Sequence, residues 1–96
     1  MTGGFQEVPI DQEHREILTG NEAAITSKLN LAGTPELKIN KVFQQIVNGK
    51  YIWFHLTDMK NGEQYSACVF QPLSGGVEKL EVAITEKGHT AARNPN

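Results

Sequence analysis

The chain is short and carries little net charge. It has 96 residues, a formal net charge of -2, and nine Lys and Arg residues scattered along its length. This length predicts one domain, residues 1–96, in which folding buries only about two thirds of the chain's surface. The scattered basic residues exclude a nucleic-acid surface or a polybasic membrane patch, and favour a protein partner or a small ligand.

Cysteine usage and hydropathy predict the compartment. Cys68 is the only cysteine, which excludes an internal disulfide framework, and no asparagine begins a glycosylation sequon. No apolar run is long enough for a membrane span, and the first residues do not resemble a signal peptide. We therefore expect a cytoplasmic protein that makes no membrane contact.

Both ends of the chain lack apolar periodicity. Gly3, Gly4 and Pro9 indicate an extended, mobile arm over residues 1–9. Residues 88–96 show no repeating apolar pattern either, so they are predicted to form a frayed tail.

One helix is predicted between these ends. Asp11 is typical of an N-cap, and Gly33 followed by Pro35 indicates a stop, so the helix should run from about Asp11 to Leu31. The Gly20-Asn21 pair within it costs about 1 to 2 kcal/mol against good helix formers. The stripe expected to face the core comprises Ile17, Leu18, Ala24, Ile25 and Leu29.

From Glu36 onward the apolar residues alternate with a period of two, which predicts strands. Ile52, Phe54 and Leu56 should form one aliphatic face that packs on the helix, while Trp53 packs within the sheet. Short turns join consecutive strands antiparallel. The four strands expected after the helix are centred on residues 37–47, 51–56, 65–71 and 80–84. The predicted class is α+β.

The segment Gln45-Ile46-Val47-Asn48-Gly49 joins the first two of these strands. Asn-Gly between strand-like runs is a strong hairpin signal, because both residues tolerate a positive φ. Apolar Ile46 and Val47 beside the tip indicate that the tip is buried in a partner. Alternate turns of an antiparallel meander lie at the same end, so the turn at 72–76 should be its neighbour.

No catalytic or metal site is predicted. His14, His55 and His89 lie on different predicted elements and support neither a metal site nor a catalytic base. Cys68 lies in a strand-like run, where a buried, inert thiol is expected. We expect no cofactor and no enzymatic activity.

The loop segment resembles the Gln-x-Val-x-Gly loop of the cystatin family of cysteine-protease inhibitors. The glycine pair near the N-terminus, the order of one helix before strands, and the segment from Val69 to Gly75 are similar to the stefin branch. The likeness covers nearly the whole chain. Pro72-Leu73-Ser74 departs from the family by reversing the Leu-Pro order usual in stefins, which bears on how strongly the second loop binds.

This resemblance implies a fold and a function. The fold is cystatin-like, with one long helix wrapped by a four- to five-stranded antiparallel sheet. The function is tight, reversible inhibition of papain-like, cathepsin-type cysteine proteases by a wedge that occludes the active-site cleft. The protease-binding residues that it implies are Gly3, Gly4, Gln45, Ile46, Val47, Asn48, Gly49, Leu73, Ser74 and Gly75.

Two other functional classes remain open. An enzyme with a pocket between helix and sheet would need convergent polar residues on the concave face, and it is disfavoured because the predicted face is aliphatic. A cystatin scaffold with altered loops would serve as a noninhibitory interaction module, because fold does not fix function. The protein is expected to be a monomer, yet a strained turn at Ile46 to Gly49 could open into the hinge of a domain-swapped dimer, which would hide the loop.

Overall fold

A computed structural model describes residues 4–73 and 80–95. One helix packs against a five-stranded, fully antiparallel sheet whose strands follow one another in chain order. The predicted cystatin-like α+β arrangement is confirmed. The elements are β1 (Gln6–Val8), α1 (Gln12–Lys28), β2 (Leu37–Ile46), β3 (Gly49–Asp58), β4 (Gln64–Pro72) and β5 (Glu81–Lys87).

The helix begins where the sequence predicts. Asp11 is the N-cap, and its carboxylate accepts a hydrogen bond from the His14 backbone N–H at 3.0 Å. This bond holds the pKa of Asp11 below its usual value. In return, His14 Nδ1 accepts the Asp11 N–H at 3.2 Å, and Nε2 lies 3.1 Å from the Gln44 side-chain oxygen. His14 therefore links the start of the helix to β2.

The helix ends earlier than predicted. It stops at Lys28 rather than Leu31, because Asn30 adopts a left-handed conformation with φ 56°. The Asn30 N–H donates to the Ser27 carbonyl and the Leu31 N–H donates to the Thr26 carbonyl, which is the Schellman arrangement. Asn30 therefore ends the helix, a role that the sequence analysis predicted for Gly33 and Pro35.

The helix is continuous through Gly20, and this glycine offers a stability test. A Cβ atom at Gly20 would meet nothing within 4 Å. Gly20→Ala should therefore raise the free energy of unfolding by about 0.5 to 1 kcal/mol, since alanine loses less backbone entropy. Equilibrium urea unfolding measures this difference. Ala23→Gly, an exposed helical site three residues later, should give an opposite change of similar size.

Residues 6–8 belong to the sheet, which corrects the prediction of a mobile arm over residues 1–9. Strand β1 pairs with β2 through the partners Gln6–Gln44 and Val8–Val42. Val8 packs against the core below the helix, so burial as well as hydrogen bonding holds the strand in place. Residues 1–3 lie outside the described part of the chain.

The helix side of the sheet carries the main core. Ile52, Phe54 and Leu56 are fully buried there, which confirms the predicted aliphatic face of β3. The helix contributes Ile17, Leu18 and Ile25, whereas Ala24 is exposed and does not widen the stripe as predicted. We call this the helix-side core; its other buried members are Leu29, Val42, Tyr65, Ala67 and Val69.

A second cluster covers the opposite, outer face of the sheet. Tyr51, Trp53 and Cys68 form its buried centre, which confirms the predicted burial of Trp53 and Cys68. We call it the outer cluster; the side chains packed around it are Phe5, Phe43, Val47, Phe70, Ile84 and Ala92. Sheets of small domains often leave one face to solvent. Here the two ends of the chain help to cover it.

The C-terminal segment is ordered over residues 88–95, so the prediction of a frayed tail is wrong there. Trp53 Nε1 donates to the Arg93 carbonyl at 2.8 Å, and the Arg93 guanidinium lies 5.3 Å from the centre of the Trp53 ring. Buried Ser66 donates to the Gly88 carbonyl and accepts the Thr90 N–H. These bonds satisfy polar groups that burial would otherwise leave unpaired.

Among the residues described, no helix is long and apolar enough to cross a membrane.

Candidate functional site

The hairpin between β2 and β3 has the turn that its sequence predicts. Ile46 pairs with Lys50, and the three residues between them reverse the chain. Asn48 and Gly49 both have positive φ values, 41° and 130°. Asparagine and glycine accept this conformation more readily than other residues do. The tip is consequently narrow.

Gly49 is also required by a close approach of the neighbouring strand. A Cβ atom at this position would lie 2.6 Å from the Gln71 carbonyl oxygen and 2.7 Å from Phe70 Cζ. Gly49 itself is buried. The last residue of the loop motif is therefore explained by the packing of β3 on β4, independently of any partner.

Ile46 and Val47 do not have the same environment. The Ile46 side chain is 75% exposed, whereas Val47 is half-buried against the outer cluster. The sequence analysis predicted that both residues bind a partner. The structure leaves Ile46 wholly available and makes Val47 partly a core residue that supports the tip.

Leu73 lies next to this tip, as the meander geometry predicts. Pro72 is the register partner of Gly49, and Leu73 follows it with 76% of its side chain exposed. Ile46 and Leu73 therefore flank the turn with two exposed apolar side chains. Ser74 and Gly75, which the resemblance also placed in the site, lie outside the described residues, as does Gly3.

The N-terminal arm reaches the same end of the sheet. Gly4 is exposed and, with Gln45 and Ile46, lines a shallow groove of about 270 Å³ between the arm and β2. Phe5 packs edge-on against Trp53 with ring centroids 6.5 Å apart. Phe5 thus positions Gly4 beside the tip. Sequence reasoning missed this role, although an aromatic residue directly after two glycines was a usable signal.

Gln45 contacts the C-terminal segment rather than pointing from the tip. Its side-chain oxygen lies 3.5 Å from the amide nitrogen of Asn94. The alternation of β2 places Gln45 on the outer face and Gln44 on the helix side, where Gln44 meets His14. The C-terminal segment therefore lies beside the strand that carries Ile46.

We call Gly4, Ile46 to Gly49 and Leu73 the tip edge. None of these residues is ionisable, and its exposed large side chains are apolar. Such an edge offers burial and shape, and it contains no nucleophile or acid–base pair with which to perform chemistry. Burying one such side chain in a partner contributes about 1.5 to 3 kcal/mol.

The histidine and cysteine side chains lie elsewhere in the structure. The His55 and His89 rings stack with centroids 4.7 Å apart, a pairing that sequence spacing did not reveal. Each Nε2 donates to a backbone carbonyl, that of Thr90 or Leu56. Burial raises the pKa of the Cys68 thiol to about 12. Within 4–73 and 80–95 we find no group of three side chains able to hold a metal ion.

The tail carries one acid-sensitive contact. Glu86 pairs with Arg93 and accepts a hydrogen bond from Thr90, and these bonds lower the pKa of Glu86 to about 2. A lowered carboxyl pKa stabilises the fold above the ordinary value of 4.5, and this contribution is lost as the pH falls toward 2.

Glu86→Gln should accordingly lower the melting temperature at neutral pH, and the difference from the wild type should disappear between pH 4.5 and 2. The pair is on the surface, so the loss should stay within about 1 kcal/mol. Glu81→Gln on the same strand is the control and should show little difference. An unchanged gap at pH 2 would contradict the assignment.

Comparison of the chain with protein-family models, with curated proteins and with solved structures gave no match.

Proposed function

We propose that this protein is a reversible, tight-binding inhibitor of papain-like cysteine proteases that acts as a monomer in the cytoplasm. The tip edge would occupy the active-site cleft as a wedge. The observation that carries the proposal is the pair of exposed apolar side chains, Ile46 and Leu73, on either side of a narrow glycine turn. The resemblance of Gln45 to Gly49 to the cystatin loop supports the same function.

The wedge is suited to a cleft because of its shape. A two-stranded tip with Asn48 and Gly49 at its end is thin, and Gly4 adds a segment without a side chain beside it. A backbone without side chains approaches another surface closely. Ile46 would bury against one wall of the cleft and Leu73 against the other, and water would be excluded between them.

The support behind the tip makes the wedge rigid. Val47 packs on the outer cluster, Phe5 holds the arm, and the register of β3 with β4 keeps the two hairpin ends together. A preorganised surface loses less conformational entropy on binding, so more of the contact energy appears as affinity.

The mode of action follows from the side chains in the wedge. The tip edge has no group able to form a covalent bond with the protease, so inhibition would be competitive and reversible. The protein itself would be no enzyme. The protease would be blocked without being modified.

The test is a titration of papain, with its active sites counted, by the monomeric protein, using a fluorogenic peptide substrate. The monomer must first be separated from any domain-swapped dimer, because a swap through Ile46 to Gly49 would open the tip. We expect loss of activity at a one-to-one ratio and recovery of activity after dilution or displacement.

A variant that begins at Phe5 sharpens the test. It lacks residues 1–4 but retains the aromatic contact with Trp53. We expect weaker inhibition with an unchanged melting temperature. Absence of inhibition by the folded, full-length monomer at micromolar concentration would overturn the proposal and leave a cystatin-like scaffold with a different partner.

A further inference from the structure

The edge of the sheet is only partly covered along β2. Strand β1 pairs with β2 from Val42 to Gln44, and the chain then leaves the sheet at Pro9. Proline has no N–H with which to continue a ladder. Leu37 to Lys41 pair with β3 on one side. In the part of the chain that the structure describes, no strand pairs with them on the side away from β3. We call this segment the open edge.

An open strand edge is a template for another strand. Residues of a β-strand direct their N–H and C=O groups alternately to either side, so the open edge presents backbone donors and acceptors to an incoming chain. Extended peptides bind sheet edges in this way, with backbone bonds giving affinity and alternate side chains giving specificity.

A groove beside the open edge would receive apolar side chains. It has a volume of about 540 Å³ and lies between the first turns of α1 and the start of β2. Met59 is 54% exposed there, and its N–H donates to the Glu36 carbonyl, which fixes its position. The apolar lining residues are Ile10, Leu18, Leu37, Ile39 and Met59.

The other side of the open edge carries unpaired positive charge. Lys38 pairs in register with Thr57 and Lys41 with His55, which places both lysines on the outer face. Both are exposed, and neither makes an ion pair among the residues described. The groove itself is lined by Arg15, Glu22, Glu36 and also Lys38, so its charges are of mixed sign.

The chain's own first strand shows which pattern fits this edge. In β1, Val8 faces the helix-side core, whereas Glu7 lies opposite Phe43 on the outer face. Glu7 is therefore a diagonal neighbour of Lys41. Strand β1 thus directs one apolar side chain, Val8, toward the helix side and one acidic side chain, Glu7, toward the outer face.

We propose that the open edge binds an extended peptide with alternating apolar and acidic residues, antiparallel to β2. Its apolar side chains occupy the groove beside Met59, and its acidic side chains pair with Lys38 and Lys41. Pairing of two copies is disfavoured, because lysines on an edge strand oppose self-association. The edge of β5 does not offer the same match, since it carries Glu81 and Glu86.

This site is separate from the tip edge. Leu37 lies at the opposite end of β2 from Ile46, so a protease in contact with the tip would leave the open edge accessible. The peptide proposal is therefore independent of the proposed inhibition, and the two fail separately.

The test uses isotope-labelled protein and a capped octapeptide of alternating valine and glutamate. We expect chemical-shift changes at the amides of Leu37 to Lys41, and slower hydrogen exchange at those whose N–H faces the open edge. The double variant Lys38→Glu, Lys41→Glu should weaken binding about fivefold or more, because two attractive pairs become repulsive. The double variant Lys28→Glu, Lys87→Glu makes the same charge change elsewhere and should bind as the wild type does.

Four results would overturn the proposal. The first is an absence of shifts at the open edge with millimolar peptide, and the second is equal binding of an alternating valine–lysine peptide. The third is equal weakening by both charge-reversal variants, which would indicate nonspecific attraction. Shifts at these amides that depend on protein concentration without peptide would instead assign the edge to a second copy.

Discussion

Ile46→Ser and Leu73→Ser should each weaken inhibition of papain about tenfold or more, and the double variant about a hundredfold. Each substitution removes an apolar side chain that a cleft would bury, and central apolar contacts of this kind contribute on the order of 1.5 to 3 kcal/mol. Ile46 and Leu73 are 75% and 76% exposed in the free protein, so the free energy of unfolding should change little. The measurements are inhibition constants and urea unfolding on the same samples.

Met59→Ser is the matched control for these variants. Met59 is the third large apolar residue with high exposure in the described part of the chain, and it lines the groove beside α1 rather than the tip edge. Loss of this side chain should leave inhibition unchanged. Equal weakening by Met59→Ser and Ile46→Ser would show that general surface hydrophobicity is responsible, and would contradict the wedge.

Gly49→Ala should destabilise the fold by at least about 2 kcal/mol. Its φ of 130° is strained for any residue with a Cβ atom, and the added carbon would lie 2.6 Å from the Gln71 carbonyl oxygen. Backbone of a central sheet cannot move aside as a flexible side chain does. Equilibrium urea unfolding would report a lower midpoint with an unchanged slope.

Gly62→Ala separates the two causes of this loss. Gly62 also lies in a hairpin turn with a positive φ of 77°, but a Cβ atom there would meet nothing within 4 Å. It should cost only about 1 kcal/mol, the strain of the left-handed conformation. If both substitutions lowered the free energy of unfolding equally, the close approach of β4 to Gly49 would not contribute to the loss.

The Gly49 result also affects how the loop is tested. A substitution that unfolds the hairpin abolishes inhibition for a structural reason, so loss of activity in a Gly49 variant says little about contact with a protease. Ile46 and Leu73 are better probes, because their side chains make few contacts in the free protein.

Local sequence signals predicted much of the fold and part of the site. Asp11 caps the helix because its carboxylate reaches a backbone N–H three residues later, and this requires no distant contact. Asn48 and Gly49 form the tip because both accept a positive φ. The alternation of Ile52, Phe54 and Leu56 predicted which side of β3 is buried, because the strand period decides it.

Some predictions failed because a local signal was given to the wrong residue. The helix ends at Lys28, and Asn30 adopts the left-handed conformation just after it, whereas the prediction placed the stop at Gly33 and Pro35. Asparagine takes this conformation less often than glycine, so an asparagine at position 30 is a weaker local signal than a glycine would be.

Only the tertiary structure decided the roles of the two ends of the chain and of the open edge. Arg93 closes over Trp53 and Phe5 packs beside it, although residues 88–96 and 1–9 have no periodic pattern of their own. A tail of this kind is ordered by single contacts with a surface that exists only after the sheet has formed. The sequence by itself determined the helix, the strands and the turn at Asn48, because these depend on neighbours along the chain. Three features depend instead on strands brought together from distant positions in the chain. They are the different burial of Ile46 and Val47, the close approach of β4 to Gly49, and the uncovered backbone of Leu37 to Lys41.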